Sequence, residues 1–108
     1  MDLVTIVYAS TDKFPPSEVF GLRNQIRRAA VSIPSNIAEG QGRRSRQDFI
    51  RFLLISNGSL QELETQVIIA ARLTFLSHDQ KDRILDLSSE VGRLLNGLSK
   101  SLTREGHP

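Results

Sequence analysis

The chain has no cysteine, no tryptophan and an aromatic content of only 6%. Without cysteine it can form no disulfide, no thiolate metal site and no thiol nucleophile. It also has no apolar run near the roughly eighteen residues that span a bilayer, and no basic and then apolar leader after Met1. We therefore expect a cytoplasmic protein with no membrane partner.

Histidine is scarce as well, because only His78 and His107 are present. His78 falls in an expected helix cap and His107 in the polar tail, so neither is placed to activate a nucleophile. Glu62 and Glu64 lack the Glu-x-x-His spacing of a di-metal bundle, and we interpret them as surface charges. No glycine loop of the G-x-x-x-x-G-K type is present. We expect no catalytic residue, no metal, no cofactor and no enzymatic activity.

The length and composition that remain suit a single domain. A chain of 108 residues with 39% apolar and 24% charged residues can bury roughly two-thirds of its unfolded surface in one core. Apolar residues recur at steps of three and four along most of the chain, which predicts helices. Four such segments with short connections predict an all-α fold, an antiparallel up-down-up-down four-helix bundle over residues 1–108. The tail from about residue 103 is expected to fray.

The first two predicted helices are separated by prolines. The first covers residues 2–13 and ends at the Phe-Pro-Pro run of residues 14–16, because residues before proline are driven out of the helical region. The second begins with Ser17 as its N-cap. It ends at Gly40 or Gly42, one of which supplies a left-handed C-cap.

Pro34 lies inside the second predicted helix. Its ring and its missing amide hydrogen disturb a helix, but the apolar stripe resumes in phase at Ile37. We therefore predict a kink at Pro34 and not a helix end. Ser32, Ser35 and Asn36 can satisfy the backbone groups that the kink releases.

The third and fourth predicted helices are longer. The third runs from residue 46 to residue 76, with Ser45 and Asp48 as a variant of the capping box. Its apolar residues occupy two sides, which predicts cover on both sides and hence a subunit interface. We interpret Gly58 within it as a close crossing of two helices, the alternative being a break. The fourth runs from residue 78 to residue 102 after a cap at Ser77, and its predicted buried stripe is Ile84, Leu87, Val91, Leu94, Leu95, Leu98 and Leu102.

The densest positive charge lies between residues 23 and 51. This stretch holds seven arginines and no lysine against two carboxylates, so its net charge is about +5 while the rest of the chain carries about −3. Guanidinium groups favour bidentate contacts with phosphate or carboxylate. We expect no aromatic residue among them for base stacking, so contact with nucleic acid would be to backbone and shape. The alternative is a solvated helix face. The candidate nucleic-acid-binding residues are Arg23, Arg27, Arg28, Arg43, Arg44, Arg46 and Arg51.

Glu39 stands near the predicted end of the second helix, where an anion opposes the helix dipole. A pairing with Arg43 or Arg44 accounts for that position, as a structural ion pair or a subunit contact. Arg43, Arg44 and Arg46 cluster at a helix start, where backbone amides also attract anions.

Three runs of the sequence resemble one known family: FP-x-x-E at residues 14–18, LRNQIRRAAVSIPSNIAEG at residues 22–40, and FIRFL with GSLQELETQ between residues 49 and 66. They are similar to the four-helix-bundle proteins encoded in intervening sequences of bacterial 23S ribosomal RNA genes. Accessory proteins of diversity-generating retroelements belong to the same superfamily. The similarity covers nearly the whole chain, and relatives usually have further residues before the Asp-Leu of residues 2–3, so the first helix is expected to be short.

The resemblance implies an antiparallel bundle, a homopentamer with a basic surface, and no enzymatic activity. It also implies binding to structured RNA or to a reverse transcriptase. The family's arginine pattern falls on Arg27, Arg28, Arg43 and Arg51, whereas Arg44 and Arg46 are assigned from charge clustering alone. The expected structural-motif residues are Pro34, Asn36, Glu39, Gly40 and Gly58.

Two interpretations of function stay open. In the first, an oligomer presents its combined basic surface to RNA or to an RNA–protein complex. In the second, the protein is an adaptor whose arginines contact acidic protein surfaces or neighbouring subunits.

Overall fold

The computed structural model describes residues 2–105. Four α-helices are joined by short connections, the first of which contains a 3₁₀ turn at Pro16–Glu18. No strand occurs within the described range, so the all-α prediction is confirmed. The helices are α1 (Asp2–Thr11), α2 (Leu22–Gln41), α3 (Arg46–Arg72) and α4 (His78–Glu105).

Each helix packs against its two neighbours around the bundle. Helix α1 contacts α2 and α4, and α3 contacts the same two helices, whereas the Cα atoms of the diagonal pairs stay more than 8 Å apart within residues 2–105. Short connections make consecutive helices antiparallel, as predicted. Helix α1 has 10 residues, about 15 Å of helix, whereas α3 and α4 have 27 and 28. Helix α1 therefore covers only part of the length of α3 and α4.

The start of α2 differs from the prediction. Ser17 is not an N-cap, because the segment around it forms the 3₁₀ turn and α2 begins only at Leu22 after Gly21. The two preceding prolines hold the chain outside the helical region, and the Glu18 carboxylate accepts a 3.4 Å hydrogen bond from the Leu22 amide. The Glu18 side chain, four residues before the first residue of α2, thus bonds to the helix start in place of the cap that we expect from Ser17.

Helix α2 continues through Pro34, and the predicted kink there is minor. The side-chain amide of Asn36 donates to the Ser32 carbonyl at 2.8 Å and to the Ser32 hydroxyl at 2.9 Å. From α3, the buried Ser56 hydroxyl donates to the Ile33 carbonyl at 2.9 Å. Side chains of both helices therefore hydrogen-bond the backbone next to the proline.

The expected left-handed cap of α2 is absent, because no glycine in the described range has a positive φ. Gly42 ends the helix with φ −77° and donates to the carbonyls of the last turn. Gly40 has a different function: a Cβ there would lie 2.8 Å from Phe52 Cβ and 2.9 Å from a Phe49 ring carbon. It permits the close approach of α2 and α3.

Helix α3 starts as predicted and ends early. Ser45 Oγ accepts a 2.9 Å hydrogen bond from the Asp48 amide, which confirms the N-cap. The helix stops at Arg72 and not at residue 76, because Thr74 adopts φ 66°. Thr74 N–H then bonds to Ala71 O and Phe75 N–H to Ala70 O, the pattern of a Schellman cap without glycine.

Helix α4 begins with a reciprocal capping box. The backbone amide of Gln80 donates to Ser77 Oγ at 3.1 Å, and the backbone amide of Ser77 donates to Gln80 Oε1 at 2.9 Å. The helix continues to Glu105, three residues beyond the predicted end, and the Thr103 hydroxyl bonds back to the Ser99 carbonyl. The remainder of the tail that we expect to fray, residues 106–108, lies outside the described residues.

The core follows the predicted stripes with two exceptions on α4, Leu94 and Leu98, the second of which is 36% exposed. Leu95 is buried, but Leu94 is 69% exposed beside Asp2 and Leu3 at the rim of a shallow groove, because α1 does not extend over it. The fully buried large apolar side chains come from all four helices: Leu3, Val7, Ile26, Ile33, Leu53, Leu63, Val67 and Ile84.

Helix α3 has an apolar outer face that stays exposed among residues 2–105. Gly58 lies on it, and a Cβ added at this glycine would meet no atom within 4 Å, so our interpretation of Gly58 as a crossing within the bundle is wrong. The helix is nevertheless continuous through Gly58. The exposed apolar residues that define the α3 outer face are Leu54, Ile55, Ile68, Ile69 and Leu73.

Candidate nucleic-acid interface

Helix α2 separates the seven candidate arginines into two groups. Its 20 residues extend for about 30 Å at 1.5 Å per residue. The amino-terminal cluster, Arg23, Arg27 and Arg28, lies at its start. The corner cluster, Arg43, Arg44, Arg46 and Arg51, lies at the α2–α3 connection and in the first turns of α3. The arginines that are contiguous in sequence therefore form two surfaces.

Arg27 is bound within the fold. Its Nε donates to Thr11 Oγ1 at 2.8 Å, its terminal nitrogen donates to the Tyr8 carbonyl at 3.0 Å, and its guanidinium lies 4.4 Å from the centre of the Tyr8 ring. The Tyr8 carbonyl belongs to the last turn of α1, where carbonyls lack helical partners. Arg27 thus caps α1 and fastens it to α2, a structural function that sequence spacing did not indicate.

Arg23 and Arg28 have no hydrogen-bond or ion-pair partner among residues 2–104. Arg28 lines a cleft of about 330 Å³ between α2 and α3, together with Ser32, Ser59 and Glu62. Arg23 lines a shallow depression of about 240 Å³ with Val19, Phe20, Asn24 and Arg27. Both guanidinium groups are available to a ligand.

Two arginines of the corner cluster are paired with carboxylates. Arg43 donates to Glu39 Oε1 at 2.7 Å, which confirms the predicted pairing, and Arg51 lies 3.6 Å from Asp48 Oδ1. Both guanidinium groups also lie over the Phe52 ring, at 5.1 and 4.7 Å from its centre. These pairs are on the surface, where such contacts contribute about 1 kcal/mol or less, so they orient the side chains without removing them from solvent.

Arg44 and Arg46 complete the corner cluster and are exposed. Neither has a carboxylate or hydrogen-bond partner in the described part of the chain. They flank Ser45, the N-cap of the 27-residue helix α3, where backbone N–H groups and the helix dipole favour an anion. Their two charges are therefore uncompensated at a position that already attracts negative charge.

The expectation that no aromatic residue accompanies the arginines is wrong in two places. Phe52 lies under Arg43 and Arg51, and the second aromatic residue is Phe20. Its side chain is 92% exposed and borders the same depression as Arg23. It lies three residues before the arginine-rich stretch, so counting charges within that stretch could not include it. Its position in a turn, just before Gly21, was the available signal.

The other motif residues lie mainly in the α2–α3 contact. Next to Pro34, the Ile33 carbonyl accepts a hydrogen bond from Ser56 of α3. Asn36 bonds to Ser32, whose hydroxyl lies 2.8 Å from that of Ser59 on α3. Gly40 is buried against Phe52. Gly58 faces outward. The S-I-P-S-N-I-A-E-G run therefore joins these two helices and holds the corner cluster at their junction.

Catalytic and metal chemistry find no support in the described region. No group of three or more His, Asp or Glu residues among residues 2–104 could hold a metal ion. His78 is on the surface, 3.4 Å from Asp82. Glu64 accepts a 2.7 Å hydrogen bond from the buried Ser88 hydroxyl and so joins α3 to α4, which corrects its interpretation as a surface charge. Within residues 2–105, no helix is both long enough and apolar enough to cross a membrane.

Comparison with known proteins places this geometry in a family. The family model described as 23S rRNA-intervening sequence protein matches residues 1–97. A similar solved structure is that of a protein of unknown function from the S23 ribosomal protein family of Bacteroides thetaiotaomicron VPI-5482, with 27% sequence identity and a TM-score of 0.73. That similarity covers 92% of this chain and 86% of the other. No curated protein matches the chain.

Proposed function

The chain belongs to the 23S rRNA-intervening sequence protein family, and on that premise we propose that it is a non-enzymatic oligomeric module whose corner cluster binds the phosphate backbone of structured RNA. The observation that carries the proposal is the state of Arg44 and Arg46, which are exposed and unpaired among the described residues at the amino terminus of α3. Phosphate is the anion that such a site fits best, because a guanidinium fork and backbone amides can bind it together.

The corner cluster suits a backbone contact and not the reading of paired bases. Its aromatic neighbour Phe52 is buried and lies under Arg43 and Arg51. Four arginines against Glu39 and Asp48 give this surface a net charge of about +2 per chain. In an oligomer, and in the pentamer that we propose from the family resemblance, several such surfaces would add around the symmetry axis and attract RNA more strongly.

The test is fluorescence anisotropy of a labelled RNA hairpin titrated with the R43E/R44E/R46E variant. We expect an affinity loss of more than about 100-fold at low salt, because three phosphate-binding charges are reversed. The matched control is R72E/R83E/R93E, which changes three exposed arginines of α3 and α4 by the same total charge. Equal losses in both variants would indicate general attraction to the net charge and would contradict a local site. Light scattering checks that each variant keeps the wild-type mass.

A second candidate function is a protein-interaction adaptor, which the α3 outer face favours. Leu54, Ile69 and Leu73 are 63%, 44% and 52% exposed on one long helix, and contiguous apolar surface of this kind marks interaction sites. A neighbouring subunit or a partner such as a reverse transcriptase would cover it. In this case the corner arginines would contact acidic protein surfaces.

The oligomer part of the proposal is tested by placing charge on the α3 outer face. L54D/L73D should shift the mass measured by light scattering to that of a monomer, since a subunit interface does not tolerate buried unpaired carboxylates. The control is L94D on α4, at a leucine that is 69% exposed, and it should leave the mass unchanged. If light scattering shows that the wild-type protein is itself a monomer, the oligomer part of the proposal is wrong.

A further inference from the structure

We propose that Phe20, Arg23 and Asn24 form a binding site for one unpaired nucleotide of RNA, with the base stacked on the Phe20 ring. The inference rests on the proposed RNA-binding function and adds a second site to it. The site lies at the start of α2, about 30 Å from the corner cluster along a helix of 20 residues. It is the place where the fold puts an exposed aromatic ring beside an unpaired guanidinium.

Phe20 is held in its exposed position by hydrogen bonds on both sides. Before it, the Val19 amide donates to the Pro16 carbonyl at 3.3 Å. After it, the Gly21 amide donates to the Glu18 carbonyl at 3.2 Å, and the Leu22 amide to the Glu18 carboxylate at 3.4 Å. Its 92% exposure is thus built into an ordered turn, so the backbone that presents the ring need not become ordered when a base stacks on it.

The polar groups beside the ring match the remaining parts of a nucleotide. Asn24 is exposed and has a donor and an acceptor for a base edge. Arg23 has no partner in the described residues and can bind the phosphate. Arg27, fixed by its contacts with Tyr8 and Thr11, forms a rigid wall of the same depression.

An apolar protein partner fits this site less well than a nucleotide. Covering Phe20 with an apolar surface would also remove water from Arg23 and leave its charge unpaired, which is costly. A nucleotide supplies a flat ring for Phe20 and an anion for Arg23 at once. Between residues 18 and 28, three arginines against Glu18 give a net charge of about +2, which further favours an anionic ligand.

The chain has no tryptophan, so F20W introduces a single indole reporter at the site. We would titrate this variant with an RNA hairpin of about ten base pairs and an unpaired loop, and separately with a blunt duplex of the same stem. Anisotropy of labelled RNA reports binding, and indole emission reports stacking. The control reporter is L94W, at a leucine that is 69% exposed on α4 and outside the α3 outer face.

We expect the hairpin to quench F20W emission while the duplex binds without quenching, and L94W to respond to neither. In the wild-type background, F20A should weaken hairpin binding roughly 5- to 150-fold and leave duplex binding unchanged, since one base–aromatic stack is lost. F20Y should keep most of the hairpin affinity, because its ring still stacks.

Three results would overturn the inference. If hairpin and duplex both bind by anisotropy but neither quenches F20W, the base does not stack at Phe20, while the corner-cluster proposal stands. If F20A changes the mass measured by light scattering, Phe20 is an anchor for protein contact. If neither RNA binds the wild-type protein at low salt, the proposed function fails first and this site fails with it.

Discussion

The two ends of α2 carry the same kind of residue in different states. At the amino-terminal end, Arg27 is bound to Tyr8 and Thr11 of α1 through two hydrogen bonds and a ring contact. At the carboxyl-terminal end, Arg44 and Arg46 extend from a helix start without a partner in the described part of the chain. One arginine stabilises the bundle, and the other two remain available to a ligand.

The difference shows that charge density in a sequence does not measure charge available on a surface. An arginine becomes structural when another helix places a carbonyl within its reach, as the last turn of α1 does for Arg27. At the other end, Gly40 permits the close approach of α3 to α2, and the connection that follows is exposed together with Arg44 and Arg46. Packing thus decides which guanidinium groups stay available to a ligand.

The largest expected effect on the free energy of unfolding comes from a substitution of Gly40, near the carboxyl-terminal end of α2. G40A places a Cβ within 3 Å of Phe52 and Phe49 atoms, so we expect a loss of about 1–3 kcal/mol in the free energy of unfolding, as for other overpacked sites. Denaturant unfolding followed by circular dichroism measures it. The paired control is G58A, where nothing lies within 4 Å and a gain of up to about 1 kcal/mol is expected. A neutral G40A would show that the two helices can move apart without cost.

The next effect compares the two kinds of arginine directly. R27A should lower the free energy of unfolding by about 1–2 kcal/mol, because it removes the hydrogen bonds from Arg27 to the Thr11 hydroxyl and the Tyr8 carbonyl. The Thr11 hydroxyl keeps its 2.8 Å hydrogen bond to the Val7 carbonyl. R44A should change the free energy of unfolding by less than about 0.5 kcal/mol, as surface substitutions usually do. Thermal unfolding of both variants and of R27K, which keeps the charge but not the planar fork, separates charge from geometry. Equal stability of R27A and R44A would remove the distinction between the two ends.

The smallest effect concerns the ion pair at the corner. E39Q releases Arg43 from a pair whose side chains are 44% and 55% exposed, so the free energy of unfolding should change by less than about 1 kcal/mol. Affinity for the RNA hairpin should rise about two- to threefold at low salt, since one negative charge is removed beside the phosphate site. Weaker RNA binding by this variant would mean that Glu39 positions Arg43 for the contact.

Features that depend on neighbouring residues could be predicted from the sequence. The caps at Ser45 and Ser77 follow from side chains that reach backbone three residues away, and the helical stripes follow from their period. The end of α3 could not be predicted, because Thr74 is not a residue type that usually adopts a positive φ. The start of α2 was misplaced because two prolines and a carboxylate four residues upstream outweighed the serine cap.

Features that depend on contacts between helices could not be predicted. Gly40 and Gly58 are both glycines within a helical pattern, and only their positions in the bundle show that one is packed and the other open. The function of Arg27 depends on Thr11 and Tyr8, which lie 16 and 19 positions earlier in the sequence. The pairing of Glu39 with Arg43 was predictable because both lie one turn apart on the same segment.

The most direct test of the central claim is the salt dependence of RNA affinity for the wild-type protein and for R44A/R46A. Each phosphate contact contributes roughly 0.9 to the slope of log affinity against log salt on a duplex. If Arg44 and Arg46 bind phosphates, the slope of R44A/R46A should be shallower by about 1.8 while its free energy of unfolding stays unchanged. If the slope for R44A/R46A is unchanged, whether RNA binding is weak or strong, the phosphate contacts lie elsewhere. That result would contradict the proposed site at Arg44 and Arg46.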